Sequence, residues 1–210
     1  MSTHVQAGAA SAASANPEAR SAARKAALAA LVGTAIEYYE FGIYGYMAAT
    51  IGPLFFPSTD PTASLLAILA VFGSAFVMRP VGGIVLGRLG DRIGRKGILL
   101  VTVIGMGVAT AAIGMLPVTA SIGLAAPVLL VLIRLIQGFF AGGEVTGAAA
   151  YAVESAPAGK RGYYGAFTPV GVAIGGAVAA ITCGSVSALL SPQEMQDYGW
   201  RIPFLLAIPM

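Results

Sequence analysis

Runs of about twenty apolar residues recur along this chain between short charged or proline-bearing breaks, the length a helix needs to cross some 30 Å of hydrocarbon. That repetition restricts the fold to an all-α integral membrane bundle. Spans are predicted near 26–49, 64–87, 97–117, 123–147 and 163–190. A sixth is expected to start at Trp200-Arg201-Ile202-Pro203-Phe204 and to stop at Met210 after about half the length required. Composition agrees: 57% of residues are hydrophobic and 10% charged, whereas soluble domains carry about 25% charged residues and need them for a wettable surface.

The 28 glycines fall largely inside the apolar runs, where a soluble helix would lose roughly 1 kcal/mol for each but packed membrane helices use them at close contacts. Four pairs lie four residues apart: Gly83 with Gly87, Gly138 with Gly142, Gly143 with Gly147, and Gly171 with Gly175. That spacing puts both members on one helix face, a packing signal. A nucleotide-binding glycine loop needs a preceding strand and a polar phosphate site, and neither is evident.

Residues 1–24, rich in Ala and Ser, are expected to form a disordered cytoplasmic tail, with residues 25–210 forming the transmembrane bundle. The first apolar run continues past the length of a signal-peptide core and reads as a retained span. Arg20, Arg24 and Lys25 precede it; Arg88, Arg92, Arg95 and Lys96 join spans two and three; Lys160 and Arg161 join four and five. The other loops carry Asp60, Glu194 and Asp197, with Arg201 as their only basic residue. The positive-inside rule then places the N-terminus in the cytoplasm of a multi-pass plasma-membrane (inner-membrane) protein. The same confinement explains the net charge of +3 without nucleic acid. Cys183 is the single cysteine, which excludes an intrachain disulfide and a cysteine-rich metal site, so no metal or cofactor is expected.

The segment Gly87-Arg88-Leu89-Gly90-Asp91-Arg92-Ile93-Gly94-Arg95-Lys96 is the most specific motif. It reads as a loop whose glycines allow a tight turn and whose Asp91 can meet a helix N-terminus and pair with arginines, a latch that can be made and broken. The alternative is that these cations only set topology. Gly87, Asp91, Arg92, Gly94, Arg95 and Lys96 are the candidate gating group.

Glu37 and Glu40 in span one, and Arg134 in span four, lie at a depth where charge is expensive and faces protein or water. The glutamates are three residues apart, so they share a face on which burial and mutual repulsion favour a protonated form. They are candidates for proton exchange, or for structural pairing with an arginine. Arg134, Gln137, Ala141 and Glu144 follow three-four-three spacing and form one stripe toward the bundle. Arg134 is a candidate carboxylate anchor, or one half of an ion pair with Glu37 or Glu40. Tyr39 is an aromatic candidate beside them, while Tyr44, Tyr151 and Phe167 read as packing or interfacial residues. Arg79, preceding a helix-bending Pro80, is assigned with Glu144 and Glu154 to a cytoplasmic-side charge network, its role snorkelling or latching rather than substrate contact. His4 and an interfacial Trp200 are given no mechanistic part.

The motif at 87–96 resembles the signature between helices two and three of the major facilitator superfamily. Glu37-Tyr38-Tyr39-Glu40-Phe41-Gly42-Ile43-Tyr44-Gly45, Arg79-Pro80 with Gly82-Gly83, Arg134-Leu135-Ile136-Gln137-Gly138 continuing to Gly142-Gly143-Glu144, and Trp200-Arg201-Ile202-Pro203-Phe204 resemble its metabolite–proton symporters, which carry proline and betaine, 2-oxoglutarate, citrate or shikimate. Tyr38 and Glu40 stand where that group often has Trp and Asp. The resemblance implies the N-terminal six-helix half of a twelve-helix carrier, its cavity lined largely by helices one, four, seven and ten, its partners a small-molecule substrate, protons, the lipid bilayer and a C-terminal six-helix bundle of the same full-length chain. The implied function is proton-coupled symport of a small carboxylate-bearing metabolite by alternating access. Drug–proton antiport is the alternative, though span five, with Pro169, Gly171, Gly175 and Gly176, lacks that group's glycine-proline order. A scaffold would have no use for deep charges, a channel is separated only by the resemblance, and an intramembrane enzyme would show a catalytic constellation that does not appear.

Overall fold

The computed structural model describes residues 17–157 and 159–209, with the side chains of 17–19, 95–96 and 144–152 outside the description. The chain runs through α1 (Pro17–Phe55), α2 (Pro61–Ile93), α3 (Arg95–Met115), α4 (Ala125–Glu154), α5 (Phe167–Leu189) and α6 (Arg201–Leu205). Short helical turns at Thr119–Ile122, Arg161–Gly165 and Pro192–Glu194, and a π-turn at Met195–Gly199, occupy the connections. No strand occurs among the described residues.

Among the described residues, the segments at Pro61–Ile93, Gly97–Met115, Ala125–Gly143 and Arg161–Leu189 are long and apolar enough to cross a membrane. Helix α1 is longer than any of them but does not join this group, because its middle carries Thr34, Glu37, Tyr38, Tyr39 and Glu40. Its polar side chains are accommodated by protein: Thr34, Glu37 and Glu40 are all buried.

Three expectations on boundaries change. Helix α1 begins at Pro17, so residues 17–24 are helical where a disordered tail was expected; the sequence there is Ala- and Arg-rich with Pro in the first turn, both favourable to helix. The rest of the expected tail, including His4, lies outside the described residues. Helix α2 runs on to Ile93, so most of the supposed loop at 87–96 is helical. Only Gly94 breaks it, with φ of 95°, a conformation that side-chain-bearing residues rarely adopt. The fifth span is interrupted at Ala166 between a short helical turn and α5.

Helix α4 is the centre of the bundle and packs on α1, α2 and α3, while α5 lies along α1 and α6 against α3. Glycines set these approaches. A Cβ added at Gly138 or Gly142 would strike the backbone of Ala75 or Arg79 on α2, and one at Gly82 would strike Phe139 on α4. Gly171 and Gly175 play the same part against Leu31 and Ala35 of α1. Of the expected Gly83–Gly87 pair only Gly83 approaches α4, at the Gly142 carbonyl; Gly82 makes the closer approach, and Gly87 faces open space. Gly147 lies outside the described side chains.

Trp200, expected at an interface, is fully buried, edge-on to Phe55 and Phe204. Beside it Arg201 stacks on the indole at 4.4 Å and donates from Nη1 to the carbonyls of Gly114 (2.7 Å) and Leu116 (2.8 Å). These carbonyls close α3 and have no following helical turn to accept from, so the guanidinium serves as their cap.

Candidate functional site

Two polar clusters meet on α1, one at each of its buried glutamates. In the first, Glu37 Oε1 accepts from Arg79 Nη2 at 2.7 Å, joining α1 to α2. The Arg79 guanidinium lies 4.6 Å from the ring centre of Phe41 and 4.7 Å from that of Phe76, and the two rings are themselves stacked. Phe72, Phe76 and Arg79 follow four-three spacing and so share one face of α2.

In the second cluster Gln137 of α4 is the hub. Its Oε1 accepts from Arg134 Nη1 at 2.6 Å, while its Nε2 donates to Glu40 Oε2 at 3.1 Å and also to Thr110 Oγ1 of α3. Arg134 further donates from Nη2 to the Phe72 carbonyl at 3.3 Å, and its plane is covered by the rings of Tyr44 (4.2 Å) and Phe72 (4.9 Å). Glu40, Gln137, Thr110 and Arg134 are all buried. Among the described residues Glu40 Oε1 and Arg134 Nε have no hydrogen-bond partner. A carboxylate and a guanidinium thus sit in the same dry interior, linked through a neutral amide rather than in direct contact. In low dielectric such a network is costly unless satisfied, so its open positions mark where a proton or another polar group is best accommodated.

Several expected groupings are therefore replaced. Arg79, expected in a charge network with Glu144 and Glu154, is ion-paired with Glu37 and stands 14 residues before the end of α2 at Ile93, about 21 Å along the axis. Arg134 is consequently not the only deep cation, and it pairs directly with neither glutamate among the described residues. Glu37 and Glu40 do share a side of α1, yet they address different helices. The expected stripe holds for Arg134, Gln137 and Ala141, all buried, while the side chain of Glu144 lies outside the described residues, as does that of Tyr151. Glu154 is exposed at the end of α4.

Tyr39 belongs to neither cluster. Its hydroxyl donates to the Pro203 carbonyl at 2.8 Å, and its ring lines an apolar groove between α1 and α5 with Ala35, Ile174 and Val178. In the motif at 87–96, Asp91 and Arg92 are exposed, and Asp91 makes no latch to the described residues. The Gly94 N–H donates to the Gly90 carbonyl at 2.9 Å, and the side chains of Arg95 and Lys96 lie outside the description.

Sequence reasoning missed Thr110, Phe41, Phe72 and Phe76. A lone Thr in an apolar run carries no signal of its own. The two phenylalanines of α2, by contrast, were legible from their helical spacing to Arg79.

The family model described as "Sugar (and other) transporter" matches residues 25–210. Among curated proteins the chain is 41% identical over 187 residues to the proline/betaine transporter of Salmonella typhimurium, covering 89% of this chain and 37% of that protein. It is 44% identical over 189 residues to the shikimate transporter of Escherichia coli, covering 90% and 43%. The chain thus spans well under half the length of these relatives. Among solved structures it is similar to a major facilitator superfamily proton:xylose symporter bound to a bromodeoxyglucose, with TM-score 0.80 at 18% identity over 90% of this chain and 43% of that one. An inward-open xylose transporter from E. coli gives 0.75 at 17%, over 89% and 45%. Matched over nearly its whole length, this multi-pass membrane chain, whose fold is similar to that of a major facilitator superfamily structure, belongs to the sugar (and other) transporter family.

Proposed function

We propose that this protein is a proton-coupled symporter that moves a small carboxylate-bearing metabolite by alternating access, with Glu40 as the proton-binding group. The observation that carries this is the buried chain Glu40–Gln137–Arg134, which ties α1 to α4 and leaves one oxygen of Glu40 unpartnered among the described residues. Glu37 is ion-paired with Arg79 at 2.7 Å, whereas Glu40 Oε2 accepts from the neutral amide of Gln137 and has no ion-pair partner among the described residues. A group that gains and loses a proton during transport fits the second environment better than the first.

In this reading Arg134 does not meet the substrate directly, since its guanidinium is enclosed by Tyr44, Phe72 and Gln137. It holds Gln137 oriented, so that Nε2 faces an ionised Glu40. On protonation Glu40 stops requiring that donor, and the contact between α1 and α4 loosens. Proton and substrate occupancy become linked through the same two helices. Alternating access needs a second bundle to rock against, and the relatives' greater length leaves room for one. The motif at 87–96 would then act at the cytoplasmic face as a gate, with the N-terminus on the same side by the distribution of lysines and arginines, in the inner membrane.

Uptake of labelled proline, glycine betaine and shikimate into proteoliposomes, with and without an inward proton gradient, tests the proposal. Glu40→Gln should abolish gradient-driven accumulation while substrate exchange at equal concentrations survives. Uphill uptake by that variant at the parent's rate would overturn the assignment of Glu40.

A further inference from the structure

We propose that Arg79, set against Phe41 and Phe76 and tied to Glu37, is the group that receives the carboxylate of a small solute entering the bundle. The proposal rests on the carrier reading above and assigns it a binding subsite. Two arginines lie deep in the bundle, and they differ in what can reach them. Arg134 is 1% exposed and packed against Tyr44 and Phe72. Arg79 has a side chain 23% exposed, while its partner Glu37 is only 4% exposed. A solute can therefore contact Arg79 without displacing any helix.

The open side of Arg79 is not a lipid face. A guanidinium–carboxylate pair about 21 Å from the nearer helix end would be strongly unfavourable against hydrocarbon, so that side is met by water or protein. Phe76 and Tyr38, both substantially exposed, flank it, and Tyr38 stands edge-on to Phe41. The result is a cation set in an aromatic recess that opens outward.

The pairing with Glu37 leaves capacity unused. One Nη2 contact joins the two side chains, and among the described residues Arg79 Nε is buried without a partner. A guanidinium presents five N–H donors in a planar fork suited to two carboxylate oxygens at once. Nε itself is buried, so an incoming carboxylate reaches Arg79 through the exposed part of its side chain, and the phenylalanines beside the guanidinium limit the side-chain freedom lost on binding. Its apolar body would lie on Phe76 and Tyr38. Glu37 stays within reach and adds a negative charge, which favours a solute with one carboxylate and a neutral or cationic remainder over one with a second negative charge.

Binding of labelled glycine betaine and shikimate to the purified protein in detergent, read beside proteoliposome uptake, tests the site. Arg79→Lys keeps the charge but not the fork, and should weaken binding of whichever probe the parent takes by about tenfold or more, the loss expected for a charge-assisted hydrogen bond. Phe76→Ala, at an exposed position where folding is not at stake, should weaken it severalfold. Glu37→Gln should shift the affinity ratio toward shikimate, which is a net anion, relative to the zwitterion. If the parent binds and accumulates a probe while Arg79→Lys and Phe76→Ala bind it unchanged, the subsite is wrong and the carrier reading stands. If the parent neither binds nor moves any carboxylate, the carrier reading fails and the subsite with it.

Discussion

Arg79 and Glu37, 42 residues apart in the chain, meet at 2.7 Å across the interface of α1 and α2. Removing either partner strands the other in a largely dry site, where an uncompensated charge costs far more than the intact pair contributes. Arg79→Gln and Glu37→Gln should each lower the thermal midpoint in detergent. The double variant Arg79→Gln/Glu37→Gln should be more stable than the sum of the two losses predicts, because neither charge is left alone. Additive losses would mean that the two side chains do not depend on each other.

The α2–α4 interface is closed by glycine. Gly138→Ala forces a Cβ into the backbone of Ala75, so α2 and α4 have to separate; loss of the monodisperse folded species in size-exclusion chromatography is expected. Gly45→Ala and Gly176→Ala, at positions where a Cβ meets nothing, should elute as the parent does.

Near the C-terminal end of α2 Asp91 is exposed, and in the proposed reading it acts on conformational exchange rather than on substrate. Asp91→Asn should slow turnover in proteoliposomes while leaving the Kd of the transported probe within about twofold, since a change confined to one barrier need not alter binding. An altered Kd with unchanged turnover would argue against a gate.

Arg201 caps α3 through two carbonyls, and charge-assisted hydrogen bonds of this kind are worth roughly 1.5–3 kcal/mol each when unscreened. Because this arginine is only partly buried, Arg201→Ala should lower stability by less than their sum, on the order of 1–3 kcal/mol. Arg201→Lys should recover part of it. Hydrogen exchange confined to residues near Leu116 would report the loss of the cap locally.

Before the π-turn, Ser191 and Glu194 form a capping box: the Ser191 N–H and hydroxyl both donate to Glu194 Oε2, at 2.8 and 2.7 Å. These donors, the backbone N–H first, hold the Glu194 carboxyl below its ordinary value of 4.5. A depressed carboxyl contributes stability above its unfolded pKa and loses it as pH falls through the folded one. The box should therefore be intact at neutral pH and open only below 4.5. Titration of Glu194 by NMR should show a midpoint below 4.5 that returns toward that value in Ser191→Ala, which removes the hydroxyl donor.

The sequence by itself determined the membrane bundle, because the spans are set by the length of apolar runs and hydrocarbon leaves the backbone few alternatives to helix. It also marked Glu37, Glu40, Arg134 and Gln137 as interior, since charge at that depth has to face protein. Only the tertiary structure decided who meets whom. Helical spacing says that Glu37 and Glu40 share a face, but not that a rotation of some 60° between them turns one toward α2 and the other toward α4. Nor does it say that Arg79 stands opposite Glu37, since that depends on the relative heights of α1 and α2, which the glycine contacts between α2 and α4 help to fix. Pairing between helices is a matter of axial register and rotation, and neither is written in the periodicity of a single helix.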